Sequence, residues 1–416
     1  MAEQQCDVVV IGAGPAGMAA AVCAAEQGQR VVVFDEGVRA GGQIWRHRSA
    51  ATLPAGARWW LERFERSGAR LISGATVADV CDGEVRAEQN GVAMIVRAPA
   101  VILCTGAREL FLPFPGWTLP GVLGIGGGQA LLKAGMQVSG KRVVIAGAGP
   151  LLLPVAAAFA QHGAAVQLVA EQASRARLLK FAAALWRTPG KLLEAARFRG
   201  AFGRAEYAAH TWVTRARGDD VVHEVDVTDG TRVRTLPCDL LCVGHGLVPA
   251  TELARLAGCE LDELGNVAVD AFQQSTQHGI YCAGETTGIG GVEAAVIEGQ
   301  IAGLAAAGEA AHARELFRKR AAQQVFARRL RATFALRAEL HGLADADTVV
   351  CRCEDVPFGE LANGSSMRAA KLRTRAGMGP CQGRVCGSAL QELFGWTADT
   401  VRLPAAAVKV ATLAND

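Results

Sequence analysis

The stretch that decides the fold is Cys6-Asp-Val-Val-Val-Ile11, followed by Gly12-Ala-Gly14-Pro-Ala-Gly17. The first six residues form a short apolar run rich in β-branched side chains, which is typical of a buried strand. The pattern then predicts a helix over 18–27 and a second strand over 29–35. The glycines therefore lie at the first turn of a βαβ unit, where the spacing G-x-G-x-x-G predicts a dinucleotide-binding turn.

The residues of this turn have separate physical roles. Gly12 makes the tight turn, Gly14 lets backbone N–H groups approach a pyrophosphate, and Gly17 lets the helix pack closely on the strand. The positive end of the helix faces the phosphates. The predicted cofactor-binding residues of the turn are Gly12, Gly14, Pro15, Ala16 and Gly17.

An acidic residue follows at the expected distance. Asp35 ends the second predicted strand, where a carboxylate accepts hydrogen bonds from ribose hydroxyls, and Glu36 is its neighbour. We include both residues in the predicted dinucleotide site. A glycine-rich turn without a ligand is the alternative, and the strand, helix and acid around the motif argue against it.

The chain repeats the pattern from Lys141, with Gly147 and Gly149 at the second turn. The third glycine position holds Leu152, which we expect to push the helix off the strand. The position aligned with Asp35 holds Ala170, with Glu171 one residue late. We expect a pyrophosphate turn without a ribose contact, and the open alternatives are ADP or ATP, NAD(P)H, or a structural role.

A third feature is a set of four cysteines near the end of the sequence, spaced C-x-C and C-x4-C: Cys351, Cys353, Cys381 and Cys386. Glycines at 377, 379, 383 and 387 surround the second pair, and glycine lets backbone N–H groups approach sulfur closely. Four thiolates suit an iron–sulfur cluster. A zinc site more often uses pairs with two to four intervening residues, so the C-x-C spacing favours iron.

Two segments of the sequence resemble a known module. Val350-Cys-Arg-Cys-Glu-Asp and Thr374 to Gly387 are similar to the 2Fe-2S module of the bacterioferritin-associated ferredoxin type. The x4 spacing looks like the version in the FAD subunits of opine oxidases, hydrogen cyanide synthase, and the D-hydroxyproline and L-proline dehydrogenase complexes. The rest of the chain resembles the FAD-dependent pyridine nucleotide-disulfide oxidoreductase superfamily.

That resemblance implies further FAD-binding residues. The segment with Gly42 and Gln43 resembles the part that lies along the flavin ring, and Trp45 either contacts the flavin or packs in the core. Thr105 and Gly106 match the point where the chain leaves the FAD domain. Ala-Gly284-Glu285 resembles the second FAD fingerprint, with Glu in place of Asp. The implied ligands from these segments are Gly42, Gln43, Thr105, Gly106, Gly284 and Glu285.

The expected fold class is α/β, with two Rossmann-like dinucleotide-binding domains, the second inserted in the first, and a small helical C-terminal 2Fe-2S module. The predicted boundaries are 1–107 and 240–310 for the FAD domain, 108–239 for the inserted domain, 311–345 for a helical linker, and 346–416 for the cluster module.

The composition restricts the partners. There are 43 basic and 40 acidic residues, for a net charge of +3, which gives no reason to expect nucleic acid or an anionic membrane surface. A polar start and the absence of a long apolar run predict neither a signal peptide nor a transmembrane segment. We expect a cytoplasmic protein, with peripheral association at the inner membrane through partners as an open alternative.

The resemblance implies an electron-transferring α subunit of a heteromeric dehydrogenase. Its partners would be an amino-acid-oxidase-like FAD β subunit, which oxidises the substrate, and a small ferredoxin-like γ subunit. The substrate would be an imino or amino acid, such as D-hydroxyproline, proline or an opine. The alternatives are the FAD subunit of hydrogen cyanide synthase, a stand-alone NAD(P)H-dependent flavoprotein reductase, and a non-enzymatic assembly module.

Overall fold

The computed structural model describes residues 2–47, 49–187, 189–203, 205–397 and 401–414. The strands are β1 Ala2–Gln5, β2 Val8–Ile11, β3 Val31–Asp35, β4 Arg70–Ser73, β5 Ala75–Cys81, β6 Glu84–Gln89, β7 Val92–Arg97, β8 Ala100–Leu103, β9 Ala107–Glu109, β10 Val122–Gly124, β11 Arg142–Gly147, β12 Ala165–Glu171, β13 Glu206–Ala209, β14 Trp212–Arg217, β15 Glu224–Thr228, β16 Val233–Pro237, β17 Leu240–Gly244, β18 Leu247–Pro249, β19 Ile280–Cys282, β20 Val349–Cys351 and β21 Val356–Pro357.

The α-helices are α1 Pro15–Glu26, α2 Ala55–Arg66, α3 Ile125–Lys133, α4 Leu152–Gln161, α5 Arg175–Ala184, α6 Pro189–Ala201, α7 Glu252–Leu256, α8 Val292–Ala306, α9 Ala310–Glu315, α10 Phe317–Phe334, α11 Phe358–Leu361, α12 Met367–Thr374, α13 Cys386–Phe394 and α14 Val410–Leu413. Single 3₁₀ turns cover Ala50–Thr52, Leu185–Arg187, Gly284–Thr287 and Ala338–Gly342.

The chain divides into two compact units. The first contains residues 1–108, 248–327 and 400–416, and the second contains 109–247 and 328–399. The segment 109–247 is thus inserted between two parts of the first unit. The sequence placed the end of the chain with the cysteine module, whereas this division assigns 400–416 to the first unit. Residues 1, 48, 188, 204, 398–400, 415 and 416, which the predicted boundaries include, lie outside the described residues.

The first unit is built on a five-stranded parallel sheet in the order β19-β8-β2-β3-β4. Its strands are almost entirely apolar because both faces are covered, one by helices that include α1 and α8 and the other mainly by the sheet that contains β5, β6 and β7. Val8–Ile11 is buried along its whole length, and α1 contributes a run of buried residues over 16–24. This packing fixes the turn between β2 and α1 at the carboxyl edge of the sheet. A second sheet, in the order β1-β7-β6-β5, completes the unit.

The second unit repeats this architecture. Its five-stranded parallel sheet has the order β10-β17-β11-β12-β13, and an antiparallel sheet β14-β15-β16 accompanies it. The strand β11 occupies the place that β2 has in the first unit, and α4 follows β11 as α1 follows β2. The turn between β11 and α4 is therefore the counterpart of the first glycine turn. The mixed α/β fold expected from the sequence is confirmed.

The linker predicted over 311–345 is helical over most of its length but is not one continuous helix. Helix α9 ends at Glu315 and α10 begins at Phe317. Leu316 and Phe317 both pack against the cluster that contains Ile301 and Leu304. The interruption therefore lies where two consecutive side chains contact the same apolar cluster. A 3₁₀ turn then replaces the helix over 338–342.

Within the described ranges, no helix combines the length and the apolar character that crossing a membrane requires.

Candidate functional site

The first glycine turn has the close packing that its sequence predicts. Gly12 has a φ of +100°, and a Cβ at this position would lie 2.2 Å from the carbonyl oxygen of Cys104. A Cβ on Gly17 would lie 1.7 Å from the Gly12 oxygen. At Gly14 the nearest heavy atom to such a Cβ is the Gly42 Cα at 3.9 Å, which is an ordinary van der Waals contact. Gly14 is therefore less closely packed than the other two glycines of the turn.

Two distant segments meet this turn in the first unit. A Cβ on Gly42 would lie 2.9 Å from the Cα of Gly14, and one on Gly284 would lie 2.8 Å from the Cβ of Ala16. The Gly41 N–H also donates to the Ala13 oxygen at 2.8 Å. The structure thus brings the predicted turn, the Gly42 segment and the Gly284 segment together at one end of α1.

The acid of the first unit holds the turn through its backbone. Asp35 accepts a hydrogen bond from the Ala13 N–H at 2.6 Å and another from the Gly37 N–H at 2.6 Å. Asp35 stays partly exposed, which leaves room for a ligand, whereas Glu36 and Gln43 are exposed. Trp45 is 8% exposed and belongs to the main apolar cluster. Of the two roles proposed for Trp45, the structure therefore supports core packing.

The chain leaves the first unit after Arg108 and returns to it at Val248, and Thr105 lies close to this point in the sequence. Its hydroxyl donates to the Ala250 oxygen at 2.6 Å and lies 3.2 Å from the Thr286 hydroxyl. A Cβ on the adjacent Gly106 would meet no atom within 4 Å. These contacts tie the end of β8 to the segment with Gly284, and so they position two of the predicted FAD-binding segments together.

Two carboxyl groups lie beside Gly284. Glu285 accepts a hydrogen bond from the Gly291 N–H, and burial raises its pKa. Glu298, which we did not predict, accepts from the Gly284 N–H at 3.0 Å and from the Thr287 hydroxyl at 3.0 Å. Burial raises the pKa of Glu298 to about 7. The sequence signal that could have identified Glu298 is an acidic residue in the mostly apolar middle of α8. A buried acid at such a position usually requires hydrogen-bond partners.

The second turn differs from its sequence prediction. Between β11 and β12, Val143 pairs with Val166 but Val144 pairs with Leu168, so one extra residue bulges out of β12. The bulge brings Glu171 opposite Gly147. The bulge therefore compensates for the one-residue offset, and Glu171 takes the position at which the sequence placed Ala170.

The Leu152 position also differs in its effect from what we expected. Leu152 is 1% exposed and packs in the apolar cluster that contains Val143 and Ile145 of β11. The side chain therefore forms part of the contact between α4 and its strand.

Glu171 holds the second turn in a way similar to that of Asp35 in the first, although it binds the third residue of its turn and not the second. It accepts hydrogen bonds from the Gly149 N–H at 2.9 Å and from the Ala173 N–H at 2.8 Å. Unlike Asp35, this residue is only 1% exposed, and burial raises its pKa to about 7. The acid of the second unit is therefore present, but a ligand cannot reach it in this conformation.

The four predicted ligand cysteines lie around one cavity in the second unit. The cavity has a volume of about 320 Å³ and is lined by Trp117, Cys351, Arg352, Cys353, Cys381, Val385 and Cys386. The thiols are arranged as two contacting pairs, Cys351 with Cys386 and Cys353 with Cys381. The first pair is buried, whereas Cys353 is exposed. The C-x-C and C-x4-C segments are therefore interleaved, since each pair takes one cysteine from each.

The backbone around these cysteines is tightly packed. The Gly377 N–H donates to the Cys351 sulfur at 3.4 Å. Arg375 donates to Glu354 at 2.8 Å, and this ion pair joins the two cysteine segments. The Trp117 indole donates to the Val349 oxygen, at the start of the C-x-C segment. Sequence reasoning missed Trp117 because it lies more than 230 positions before its partner.

Across residues 2–47, 49–187, 189–203, 205–397 and 401–414, no three His, Cys, Asp or Glu side chains are grouped as ligands of one metal ion. The remaining short-spaced pair, Cys238 and Cys242, is fully buried in β17 and just before it. Burial raises the pKa of Cys238 to about 11 and also raises that of Cys242. A buried, protonated thiol is a poor nucleophile, so this pair is not suited to disulfide exchange.

Comparisons with known proteins agree with this architecture. Residues 6–311 match the pyridine nucleotide-disulphide oxidoreductase family. The A subunit of opine oxidase from Agrobacterium tumefaciens is 33% identical over 93% of this chain and 85% of its own length. Hydrogen cyanide synthase subunit HcnB of Pseudomonas aeruginosa is 34% identical over 95% of this chain and 92% of its own length. The solved L-proline dehydrogenase from P. horikoshii has a TM-score of 0.71 at 20% identity, and the match covers 100% of this chain and 81% of that one.

The chain belongs to the pyridine nucleotide-disulphide oxidoreductase family, and it is a flavoprotein oxidoreductase for which the family supports FAD as cofactor. Within this family it belongs with the A subunit of opine oxidase and with hydrogen cyanide synthase subunit HcnB. The family predicted from the sequence motifs is therefore confirmed.

Proposed function

We propose that this chain is the electron-transferring α subunit of a heteromeric flavoprotein dehydrogenase that oxidises an imino or amino acid through a partner β subunit. In this proposal, the first unit holds FAD and the four cysteines of the second unit hold a 2Fe-2S cluster. The observation that carries the proposal is the single cavity around which Cys351, Cys353, Cys381 and Cys386 lie in two pairs.

The pairing of the thiols fits two irons better than one zinc. Structural zinc is tetrahedral and draws four ligands to one point. A 2Fe-2S cluster takes four thiolates, two on each iron. Two separate sulfur pairs around one cavity match the second arrangement. The Gly377 N–H on the Cys351 sulfur is the kind of hydrogen bond that tunes the potential of a cluster.

The first unit offers a matching place for FAD. The backbone at Gly14, which is less closely packed than Gly12 and Gly17, would receive the pyrophosphate at the N-terminus of α1, and the partly exposed Asp35 would bind the ribose. The segments of Gly42 and Gly284, which pack on this turn, would hold the rest of the cofactor. The proposed ligands are Gly12, Gly14, Pro15, Ala16, Gly17, Asp35, Glu36, Gly42, Gln43, Thr105, Gly106, Gly284 and Glu285.

When bound, FAD supplies two-electron redox chemistry and the cluster supplies one-electron transfer. The residues of this chain bind and orient both groups. Burial of Cys351 and Cys386 would keep water from one side of the cluster, while the exposed Cys353 would leave the other side accessible to a redox partner.

The partner and the substrate class are supported by the names of relatives. The relatives from opine oxidase and hydrogen cyanide synthase are both named as subunits, so each works with at least one other chain. Opines and proline are both secondary amines, and glycine, which hydrogen cyanide synthase would use, is a primary one. We therefore propose an amino-acid-oxidase-like β subunit with the substrate pocket and, as a further partner, a small ferredoxin-like γ subunit. D-hydroxyproline is our first candidate substrate.

The experiment is an anaerobic titration of the complex that co-purifies with this chain under a tag. D-hydroxyproline, L-proline, an opine and glycine are added in turn while flavin absorbance and the reduced-cluster EPR signal are recorded. Flavin bleaching and an EPR signal with one secondary amine, only when the partner is present, are the expected result. Glycine as the sole reductant would instead assign the hydrogen cyanide synthase reaction.

The stand-alone reductase gives a different result in the same experiment. It predicts that NADH or NADPH bleaches the flavin of this chain in the absence of any partner. That outcome, together with no response to the four amino compounds, would overturn the proposal. Iron and acid-labile sulfide analysis of the purified chain tests the cluster separately.

A further inference from the structure

The second unit has its own nucleotide-binding geometry, and the chain itself covers one end of it. In a Rossmann unit, the ligand lies outside the carboxyl ends of the strands, and the acid at the end of the second strand holds the adenosine ribose. In this unit, the second strand is β12, which ends at Glu171, and the third is β13, which ends at Ala209. The residues that follow these two strands, Gln172 and His210, therefore mark the adenosine end of the site.

Arg337 lies at this end. Its Nη1 is 3.4 Å from the Gln172 carbonyl oxygen and 3.4 Å from His210 Nδ1. Its guanidinium lies 3.5 Å from the centre of the Trp212 ring. A flat, delocalised cation stacks on an aromatic face in much the same way as a second ring does. Arg337 thus bridges the ends of both strands, as an adenine base would be expected to do.

Gln172 holds the backbone around Arg337. Its side-chain amide donates to the carbonyl oxygens of Phe334 and Ala335 at 3.3 and 3.2 Å, and its oxygen accepts from the Arg337 N–H at 3.2 Å. Arg177 donates to the same Ala335 oxygen at 3.3 Å. We name residues 333–339 the covering segment. The side chain of Gln172, the residue that follows Glu171, holds this segment at the strand ends.

The acids of the two units differ in exposure. Asp35 and Glu171 each accept a hydrogen bond from a backbone N–H of their glycine turn and another from the N–H two residues further along the chain, but Asp35 is partly exposed and Glu171 is 1% exposed. Gln172 is also only 2% exposed. The turn at Gly147 and Gly149 is therefore kept, while the place for the adenosine ribose is closed.

We propose that Arg337 and the covering segment occupy the adenosine end of the second dinucleotide site, so that this segment and an adenine nucleotide exclude each other. The contacts that hold the cover are the stacking of Arg337 on Trp212 and a set of long hydrogen bonds. The three hydrogen bonds of Gln172 are at least 3.2 Å long, and within the described residues the buried Nε of Arg337 has no hydrogen-bond partner. An unsatisfied buried N–H costs free energy, and this cost makes the covered form less stable than its contacts alone would.

The test compares nucleotide binding by the full FAD-loaded chain and by a variant in which the cover is loosened. The variant combines Gln172→Ala with Arg337→Ala, and ADP and NADH are the probes in isothermal titration calorimetry. We expect at least one probe to bind the variant tenfold or more tightly than it binds the unmodified protein. Arg331→Ala, which removes an exposed cation from the preceding helix α10, is the matched control and should leave affinity within twofold.

A conservative variant provides a second test if the double variant does not fold. Arg337→Lys keeps the charge and length but loses the flat contact with Trp212, and it should raise nucleotide affinity about threefold. Equal affinity of all folded proteins would overturn the proposal, including the case in which none of them binds either probe. That outcome would show that the covering segment is not what keeps nucleotides out, and it would leave the proposed cluster and its partner unaffected.

Discussion

Gly379 lies directly against Cys353. A Cβ on Gly379 would lie 2.3 Å from the Cys353 Cβ and 3.0 Å from Glu354 Oε1. The C-x-C segment and the C-x4-C segment therefore meet at a point where no side chain fits. Sequence reasoning assigned the glycines here to close approach of backbone to sulfur, and the structure adds that one of them is needed for the approach of the two segments to each other.

Gly379→Ala should therefore weaken cluster retention. The added methyl group forces the two segments apart and moves Cys353 out of its pairing with Cys381. We expect the iron content of the purified chain to fall to less than half. Gly387→Ala is the control, since its added carbon would meet only the end of Met367 at 3.5 Å. Equal iron in both variants and in the unmodified protein would contradict the prediction.

A second prediction concerns the ligands themselves. Cys353→Ser removes one thiolate of the exposed pair, and we expect it to abolish the reduced-cluster EPR signal while FAD absorbance is retained. Cys81→Ser is the control, because Cys81 is also exposed but belongs to the first unit. Iron bound equally by both variants would show that the metal is held elsewhere.

A third prediction concerns the contact between α1 and α8. A Cβ on Gly299 would lie 2.1 Å from the carbonyl oxygen of Ala16, in the first turn of α1. Gly299→Ala should lower the free energy of unfolding by about 1–3 kcal/mol through overpacking. It should also reduce FAD retention, because Ala16 belongs to the proposed cofactor turn. Thermal unfolding and the flavin-to-protein absorbance ratio measure the two effects.

Gly200→Ala is the matched control for this change. Gly200 lies in helix α6, and an added Cβ would meet no atom within 4 Å. Because alanine favours helix more than glycine by up to about 1 kcal/mol, this variant should be as stable as the unmodified protein or slightly more stable. A loss of FAD from Gly200→Ala equal to that from Gly299→Ala would contradict the packing argument.

A fourth prediction follows from the pKa of Glu298, which burial raises from 4.5 to about 7. Between these values, the folded protein keeps a proton that the unfolded chain releases, so the stability of the folded state falls as pH rises through this window. Glu298→Gln cannot ionise and avoids this loss. The stability of the variant relative to the unmodified protein should therefore increase from pH 5 to pH 8, by up to about 3 kcal/mol.

The measurement is the melting temperature of both proteins at pH 5 and pH 8. Glu171, whose pKa is raised in the same direction, is present in both proteins and cancels in the comparison. A difference in melting temperature that is the same at both pH values would show that Glu298 does not change its protonation in this range.

The features that the sequence predicted correctly are those with local signals. Apolar runs beside glycine turns located strands of both parallel sheets, and the end of α1 was predicted within one residue. The start of α1 was predicted at Met18, whereas the helix begins at Pro15. The error arose because proline was read as part of the turn, although it is well suited to the first position of a helix.

The features that were missed depend on contacts between distant parts of the chain. The sequence comparison assumed the same number of residues between glycine turn and acid in both units, and it therefore placed Ala170 at the acid position. The β-bulge in β12 changes this spacing by one residue, and nothing in the sequence marks a bulge. Glu298 was missed because its partners, Gly284 and Thr287, belong to the turn before its helix. The break between α9 and α10 depends on a cluster of side chains from other helices.

The return of the C-terminal residues to the first unit has a consequence for chain mobility. The Lys409 N–H and the Thr412 hydroxyl both donate to Glu88, at 2.8 and 2.6 Å. The chain on both sides of the cysteine-bearing segment 328–399 therefore belongs to the first unit, so this segment does not form the end of the chain. In the unfolded state, a segment with both ends fixed costs conformational entropy, and this cost grows only slowly with the length of the segment. Truncation before residue 401 would leave the cysteine-bearing segment attached to the first unit at one end only.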